Sequence, residues 1–194
     1  MPLIGLTGGM GAGKSTALKL LERLGAAVQS TDAVVHELYE GERLRDAVVA
    51  RWGAEMAPGG KVDRSTVAGR AFGDERERAW LEGVIWPLVG ERITAWLEQA
   101  RTKRPAPRAT VIEVPLLFEA GMEGMYDATI AVVSSEELRV ARAAGRGHAL
   151  ADERAARQLS QEEKARRATY VVRNDGTPED LCRALSSVLD KLGA

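Results

Sequence analysis

Apolar and polar positions along the chain alternate between short apolar runs and longer segments with helical spacing. The runs are five in number and of strand length, and several are rich in β-branched residues: LIGLT (3–7), AAVQS (26–30), ATVIEVPLLF (109–118), DATIAVVS (127–134) and ATYVV (168–172). Runs of this kind are typical of strands buried on both faces of a sheet.

The segments between the runs predict helices. Leucines 18, 21 and 24, followed by Gly25, indicate a helix over 14–24. Residues 64 to about 101 also have a helical pattern, in which Pro87 predicts a break. A last helix starts near Pro178 and carries Leu181, Leu185, Val188 and Leu192 on one face. Strands joined by helical crossovers predict an α/β fold with a parallel sheet covered on both sides.

Composition and charge restrict the partners. Charged residues make up 28% of the 194 residues and the net charge is -1, so no overall field attracts nucleic acid or a membrane surface. Residues 139–173 nevertheless hold nine Lys/Arg against four Asp/Glu, a surplus of five positive charges. Such a stretch is either a solvated helix face or a surface for a polyanionic ligand.

Cysteine content and the chain start bear on location. Cys182 is the only cysteine, which fits a reducing compartment. The first residues, MPLIGLTGG, lack a basic leader, and no apolar run approaches the roughly 18 residues of a membrane span. We therefore expect a cytoplasmic protein.

The segment between the first predicted strand and helix carries the strongest motif. Gly8, Gly13, Lys14 and Ser15 match G-x-x-x-x-G-K-[ST], and Thr16 follows. Glycines let successive N–H groups point into one hollow, and the helix N-terminus adds partial positive charge. Lysine then reaches the β- and γ-phosphates, and the serine hydroxyl can bind Mg²⁺. The competing interpretation, a glycine-rich turn that only caps a helix, explains fewer of these residues.

Two classes of phosphate-binding protein are disfavoured. A GTPase needs N-K-x-D to read guanine, whereas the only asparagine, Asn174, is followed by Asp175. A motor ATPase usually has an apolar strand ending in Asp, and the nearest match here is VIEVP with Glu113. A compact kinase for a small molecule remains, and Asp32, just after the second strand, is a candidate base for the acceptor hydroxyl. Asp32 could equally be an N-cap, and the two roles are compatible.

Eight segments of the chain resemble the dephospho-coenzyme A kinase family in order and spacing. They are GLTGGMGAGKST, STDAVVHEL, RAF, WPLV, EVPLLFEAG, DATIAVV, RAAGRGHA and QEEKARRATYVVRNDG. The resemblance implies ATP-dependent phosphorylation of the ribose 3′-hydroxyl of dephospho-CoA, with Mg²⁺ accompanying ATP. It also implies a three-layer P-loop NTPase fold with a five-stranded parallel sheet, a helical substrate-binding insertion and a lid. The expected division of the single domain is a core (about 1–35, 106–138 and 168–194), a CoA-binding subdomain (about 36–105) and a lid (about 139–167).

The resemblance also implies roles for individual residues. Asp32, Lys14 and Arg146 would be catalytic, and Ser15 would bind the metal. ATP would contact Gly8, Gly9, Met10, Gly11, Ala12, Gly13, Lys14, Ser15, Thr16, Arg142, Asn174 and Gly176. The acceptor would contact Asp32, Arg70, Phe72, Pro87, Pro115, Leu116, Leu117 and Glu119. Leu116 and Leu117 could instead be core, and Arg142 and Arg146 could lie on a solvated helix face.

Three positions depart from the family pattern. Ser30-Thr31-Asp32 replaces D-A-D, Trp86-Pro87 replaces His-Pro, and Ala168-Thr169 replaces A-D. The first removes one carboxylate, and the second leaves open what contacts the acceptor at Trp86. Two other functions remain possible from the sequence, a kinase for a different metabolite and an ATP-gated binding module. ATP and dephospho-CoA are the expected partners, with no nucleic acid or membrane, and a monomer is favoured.

Overall fold

The computed structural model describes residues 1–144 and 158–193. The chain divides into two compact units, one formed by Met1–Ser30 with Ala100–Ala194 and the other by Thr31–Gln99. The first contains the sheet and the second is helical, and each is described separately below.

The helices follow one another along both units. They are α1 (Lys14–Arg23), α2 (Thr31–Leu38), α3 (Glu42–Trp52), α4 (Arg64–Phe72), α5 (Glu75–Thr102), α6 (Glu136–Ala144), α7 (Gln161–Arg167) and α8 (Pro178–Lys191). Short 3₁₀ turns occupy Ala54–Met56, Pro58–Gly60 and Glu123–Met125. No helix in the described part of the chain combines the length and apolar character needed to cross a membrane.

The sheet has five parallel strands. They are β1 (Leu3–Gly8), β2 (Ala27–Ser30), β3 (Thr110–Glu113), β4 (Ala128–Val133) and β5 (Tyr170–Arg173), in the order β2-β3-β1-β4-β5. The central strand β1 aligns Ile4 with Val111 of β3 and with Ala128 of β4. The strand order reverses direction at β1, because β2 lies on one side of β1 in the sheet and β4 lies on the other. Ligands of open α/β sheets bind at such a switch point, beyond the carboxyl ends of the strands.

The core of the sheet unit joins the strands to the helices that cover them. Ile4, Leu6 and Ile130 from the sheet are fully buried, together with Leu21 of α1 and Leu185 of α8. Both helices present an apolar stripe to the sheet, and α1 contacts α8. The leucine spacing of these two segments is therefore explained by burial against the sheet.

The helical unit has its own core. Buried side chains of α2, α3, α4 and α5 form it, including Val34, Val48, Val67 and Ile85. Trp52 meets Trp80 edge to face, with ring centroids 4.8 Å apart. Trp86, by contrast, is 53% exposed.

The predicted five-stranded parallel sheet is confirmed, and two details differ from expectation. The run 109–118 is strand only over Thr110–Glu113, and Leu117 and Phe118 beyond it are buried within a turn. Helix α5 continues through Pro87. Proline costs a helix one internal hydrogen bond, and the buried Ile85, Leu88 and Val89 on either side hold this helix in place.

Candidate functional site

The loop between β1 and α1 takes a shape that depends on glycine. Gly11 has φ +74° and Gly13 has φ +94°. A Cβ on Gly11 would collide with the backbone of Arg139, and a Cβ on Gly13 would collide with the Asn174 side chain. The motif glycines therefore allow both the turn and the close packing of two later segments on it.

The N-terminus of α1 opens onto this loop without a side-chain cap. Gly13 is the N-cap residue and offers no side-chain hydrogen bond, and the first turn of α1 contains no acidic residue. The first-turn N–H groups of a helix need acceptors, and together they attract an anion. The fold thus presents a phosphate site at the carboxyl end of the central strand.

Lys14 places its ammonium over the same loop. Its Nζ donates to the backbone oxygens of Gly8 and Gly9, each at 3.0 Å. These bonds fold the side chain back toward the loop, beside the open helix end. A positive charge held there stabilises negative charge on a bound phosphate.

Asn174, which follows β5, is hydrogen-bonded to the phosphate loop. It is only 7% exposed, and its Nδ2 donates to Ala12 O at 2.8 Å. Its own backbone oxygen accepts from Ser134 Oγ at 3.1 Å and from both terminal nitrogens of Arg142 at 3.2 Å. The structure therefore joins Asn174 and Arg142 in one network behind the phosphate loop.

Arg139 is a contact of this loop that the sequence analysis did not select. Its Nε donates to Met10 O at 3.1 Å, and its guanidinium lies over Gly9. Gly9, Met10 and Arg139 line a pocket together with residues 158–162. The sequence signal that could have identified Arg139 is its position three residues before Arg142, because residues i and i+3 lie on one face of a helix, here α6.

The segment that follows β3, residues 115–119, is organised by Lys164 of α7. Lys164 is fully buried, and its Nζ lies 2.9 Å from Glu119 Oε1 and 2.6 Å from Pro115 O. Burial lowers the pKa of Lys164, and the adjacent Glu119 carboxylate opposes that effect. Sequence analysis missed this lysine, because a single Lys in a polar helix has no distinguishing pattern.

The leucines of this segment differ in exposure. Leu117 is fully buried, and a Cβ on Gly5 would collide with its side chain, whereas Leu116 is half-buried. Leu117 thus lies in the core of the sheet unit, as the competing interpretation allowed. Contact of Pro115, Leu116 or Leu117 with an acceptor stays a prediction.

Asp32 is an exposed residue in the first turn of α2, which begins at Thr31 directly after β2. It does not precede the helix, as an N-cap would. Its carboxylate is favoured at that position by the helix dipole. Its predicted role as a base is compatible with this placement beyond a strand end and stays a prediction.

The remaining acceptor candidates belong to the helical unit. Arg70 is exposed on α4, and it lines a pocket with Gly69, Gly73, Asp74 and Glu77. Phe72 is the last residue of α4, and Pro87 lies inside α5. Their roles stay predictions.

Arg146 was predicted to be catalytic and Gly176 to contact ATP. Arg146 lies outside the described residues. Gly176 precedes α8, and a Cβ there would approach Asp180, which forms a capping box with Thr177. Gly176 therefore has a structural reason to be glycine, in addition to its predicted place near the adenine.

Ser15 is the side chain that the phosphate-loop motif offers to a metal. Ser15 is exposed in the first turn of α1. Among residues 1–144 and 158–193, no three His, Cys, Asp or Glu residues are grouped as a metal site. Mg²⁺ typically takes one or two protein oxygens and completes its shell with water and substrate phosphates, and a lone serine hydroxyl beside a phosphate site fits that pattern.

An open helix end, a lysine and a glycine loop at a strand end can hold a nucleoside triphosphate and stabilise charge on its terminal phosphate. The family model described as dephospho-CoA kinase matches residues 2–180. The chain belongs to the dephospho-CoA kinase family.

Relatives named dephospho-CoA kinase match nearly the whole chain. The protein of Anaeromyxobacter dehalogenans is 39% identical over 197 residues, covering 99% of this chain and 90% of the relative. That of Thermus thermophilus is 37% identical and covers 98% and 91%.

Solved structures agree with this membership. The crystal structure of TT1252 from Thermus thermophilus matches this chain with a TM-score of 0.78 and 37% identity, covering 98% of this chain and 97% of TT1252. A dephospho-CoA kinase from Campylobacter jejuni has a TM-score of 0.70 at 21% identity, covering 98% and 96%, and shows the shared fold.

Proposed function

We propose that this protein transfers the γ-phosphoryl group of ATP to the ribose 3′-hydroxyl of dephospho-CoA, giving coenzyme A and ADP. This reaction is the final step of coenzyme A biosynthesis. The observation that carries the proposal is the uncapped α1 N-terminus with Lys14 folded over its loop, in a chain that belongs to the dephospho-CoA kinase family.

On the donor side, the loop residues 8–13 and the first turn of α1 hold the ATP phosphates. Lys14 neutralises charge on the transferring group, as do Arg142 and Arg146. Asn174 and Gly176 lie toward the adenine. Ser15 would hold Mg²⁺ together with the ATP phosphates, and the ion would supply Lewis-acid stabilisation of the negative charge on the transferring group.

On the acceptor side, Asp32 orients the 3′-hydroxyl and accepts its proton. The hydroxyl oxygen forms a bond to the γ-phosphorus while the bond from that phosphorus to the bridging oxygen of ADP breaks. Arg70, Phe72, Pro87 and residues 115–119 bind the rest of dephospho-CoA.

The segments divide accordingly into a core (about 1–35, 106–138 and 168–194), a CoA-binding subdomain (about 36–105) and a lid (about 139–167). Lid closure excludes water, because an open site would hydrolyse ATP without an acceptor. We further propose a cytoplasmic monomer.

The test is ADP release with a panel of acceptors: dephospho-CoA, AMP, CMP and shikimate. We expect dephospho-CoA to give the highest kcat/KM, with coenzyme A as the product by mass spectrometry. A higher kcat/KM for any other member would assign the chain to a different kinase. ATP binding with no transfer to any of the four would instead support a binding module.

A further inference from the structure

The most deeply buried charge in the described part of the sheet unit is the ammonium of Lys164. Its side chain is 0% exposed. The ammonium has three N–H donors, and three acceptors lie around it: Glu119 Oε1 at 2.9 Å, Pro115 O at 2.6 Å and Thr7 Oγ1 at 3.4 Å. A buried charge is retained only when its hydrogen bonds are satisfied in this way.

These acceptors come from distant parts of the sequence. Thr7 is in β1, immediately before the phosphate loop, and Pro115 and Glu119 lie in the turn after β3. Thr7 Oγ1 also donates to Pro115 O at 3.4 Å. The end of the central strand and the predicted acceptor segment are therefore joined through one ammonium.

A third segment is attached through Glu119. Its Oε1 accepts from Leu159 N at 2.7 Å as well as from Lys164. Leu159 belongs to the stretch 158–162 that lines the pocket beside Gly9 and Arg139. The same carboxylate oxygen thus fixes the predicted acceptor segment and one wall of the pocket beside the phosphate loop.

We propose that Lys164 and Glu119 are positioning residues, which hold segment 115–119 in register with the phosphate loop so that the acceptor hydroxyl meets the γ-phosphate. This deepens the function proposed above and rests on it. Glu119 then acts by fixing the segment through its Oε1, which bonds to Lys164 and to Leu159 N. Its Oε2 is buried without a hydrogen-bond partner in the described part of the chain.

Positioning can be distinguished from a purely structural role by replacing both Lys164 and Glu119 with neutral residues and comparing stability with activity. Replacing Lys164 alone leaves the Glu119 charge buried without its partner, which destabilises the fold. Neutralising both residues removes that lone charge. Neither change restores the bonds to Pro115 O and Thr7 Oγ1, so positioning stays impaired while stability recovers.

The experiment compares Lys164→Met, Glu119→Gln and the double variant with the full-length wild type. Measurements are kcat and KM for dephospho-CoA, Kd for ATP, and Tm. Displacement of an acceptor by an ångström can cost about 10²-fold in rate, and we expect Lys164→Met to lower kcat/KM for dephospho-CoA by about that factor. Kd for ATP should change far less, because the loop and α1 remain.

The double variant gives the decisive comparison. We expect its Tm to return toward the wild-type value while kcat/KM for dephospho-CoA stays low. Recovery of kcat/KM together with Tm would overturn the proposal, as would a loss of ATP affinity equal to the loss of kcat/KM. Glu119→Gln keeps hydrogen-bonding atoms at this position, and it supplies the same comparison of acceptor against ATP if Lys164→Met does not fold.

The matched control is Lys191→Met, the same change of residue type at the end of α8. Lys191 is exposed. Its loss should leave both kinetic constants unchanged, and a loss like that of Lys164→Met would count against the proposal. Wild-type turnover of dephospho-CoA is measured first. If it is absent, the proposed function fails and the positioning role falls with it, whereas an active wild type with unaffected variants overturns the positioning role alone.

Discussion

The proposed donor residues and the proposed acceptor residues are arranged in different ways. The donor side is a continuous stretch, residues 8–16, whose glycines, lysine and helix end act within a few residues of one another. The acceptor candidates are spread over α2, α4, α5 and the turn after β3, in two compact units. A motif that is local in sequence can be shaped by backbone geometry alone, whereas a dispersed one depends on contacts made across the fold.

The contrast is clearest in how each part is supported. The phosphate loop is fixed by its own φ angles and needs only a few bonds, such as that from Asn174 to Ala12 O. Segment 115–119 contains no glycine with a positive φ, and Lys164, 49 positions beyond Pro115, supplies the hydrogen bonds that hold it. Substitutions should therefore separate the two sides by their effects on ATP and on dephospho-CoA.

The sharpest separation is expected from Asp32→Asn. General-base catalysis contributes roughly 10²–10⁴-fold, so kcat should fall by about that factor. Kd for ATP should stay near the wild-type value, because the amide is the same size and the donor side is untouched. Steady-state ADP release and calorimetry with ATP test this. Glu37→Gln, on the exposed face of the same helix, is the control, and undiminished transfer in Asp32→Asn would remove the base from the mechanism.

Lys14→Met should act on the other side and affect both quantities. Loss of one preorganised charge contact to a transition state costs about 10²–10³-fold in kcat. ATP affinity should fall as well, while binding of dephospho-CoA alone is unchanged. The exposed Lys19→Met in the same helix controls for the change of charge. Retained ATP affinity in Lys14→Met would place the ammonium away from the phosphates.

Asn174→Ala tests the support of the phosphate loop. It leaves Ala12 O without the donor from Asn174, and an unsatisfied buried group costs about 1–3 kcal/mol. We expect KM for ATP to rise by about tenfold, the equivalent of 1.4 kcal/mol, with KM for dephospho-CoA little changed. Equal increases in the two KM values would mean that this network serves the whole site rather than the donor side.

Asp63→Ala should give the smallest effect, confined to the acceptor side. Asp63 caps α4, the helix of Arg70, and hydrogen bonds from Ser65 and Thr66 lower the pKa of its carboxyl to about 2. Because the pKa is lowered in the folded state, the stabilisation is present above the unfolded value and is lost as the pH falls through about 2. Tm of the variant should lie below wild type at neutral pH, and the difference should shrink between pH 4 and pH 2.

A Tm difference that persists unchanged at pH 2 would mean that the carboxylate is not the group responsible. KM for ATP in Asp63→Ala should match wild type, since α4 belongs to the helical unit. A raised KM for ATP would contradict the division into donor and acceptor sides.

The sequence predicts the sheet and the donor loop well, for a physical reason. Buried strands and the glycine-lysine loop depend on residues that are adjacent in sequence, so β1, α1 and their connection can be predicted from the sequence. The end of β3 at Glu113 could not be predicted, because Leu117 and Phe118 are as apolar in a buried turn as they would be in a strand.

The contacts of Lys164 and Arg139 could not be predicted from the sequence pattern either. Lys164 and Arg139 lie in polar helices, where a cation is normally solvated. Their bonds to Pro115 O and Met10 O depend on the packing of distant elements. The continuity of α5 through Pro87 likewise comes from burial of its neighbours, which outweighs the local preference for a break.

The uncapped start of α1 has a thermodynamic consequence. Many helices cap their first turn with a side chain of their own, whereas α1 has none and leaves those N–H groups to the phosphates of the proposed nucleotide. Part of the stability of this helix is therefore supplied from solution and increases with nucleotide concentration as RT ln(1 + [L]/Kd). At a nucleotide concentration of about 100 times Kd, binding adds about 2.7 kcal/mol to the free energy of unfolding. The melting temperature of the protein therefore reports the concentration of nucleotide around it.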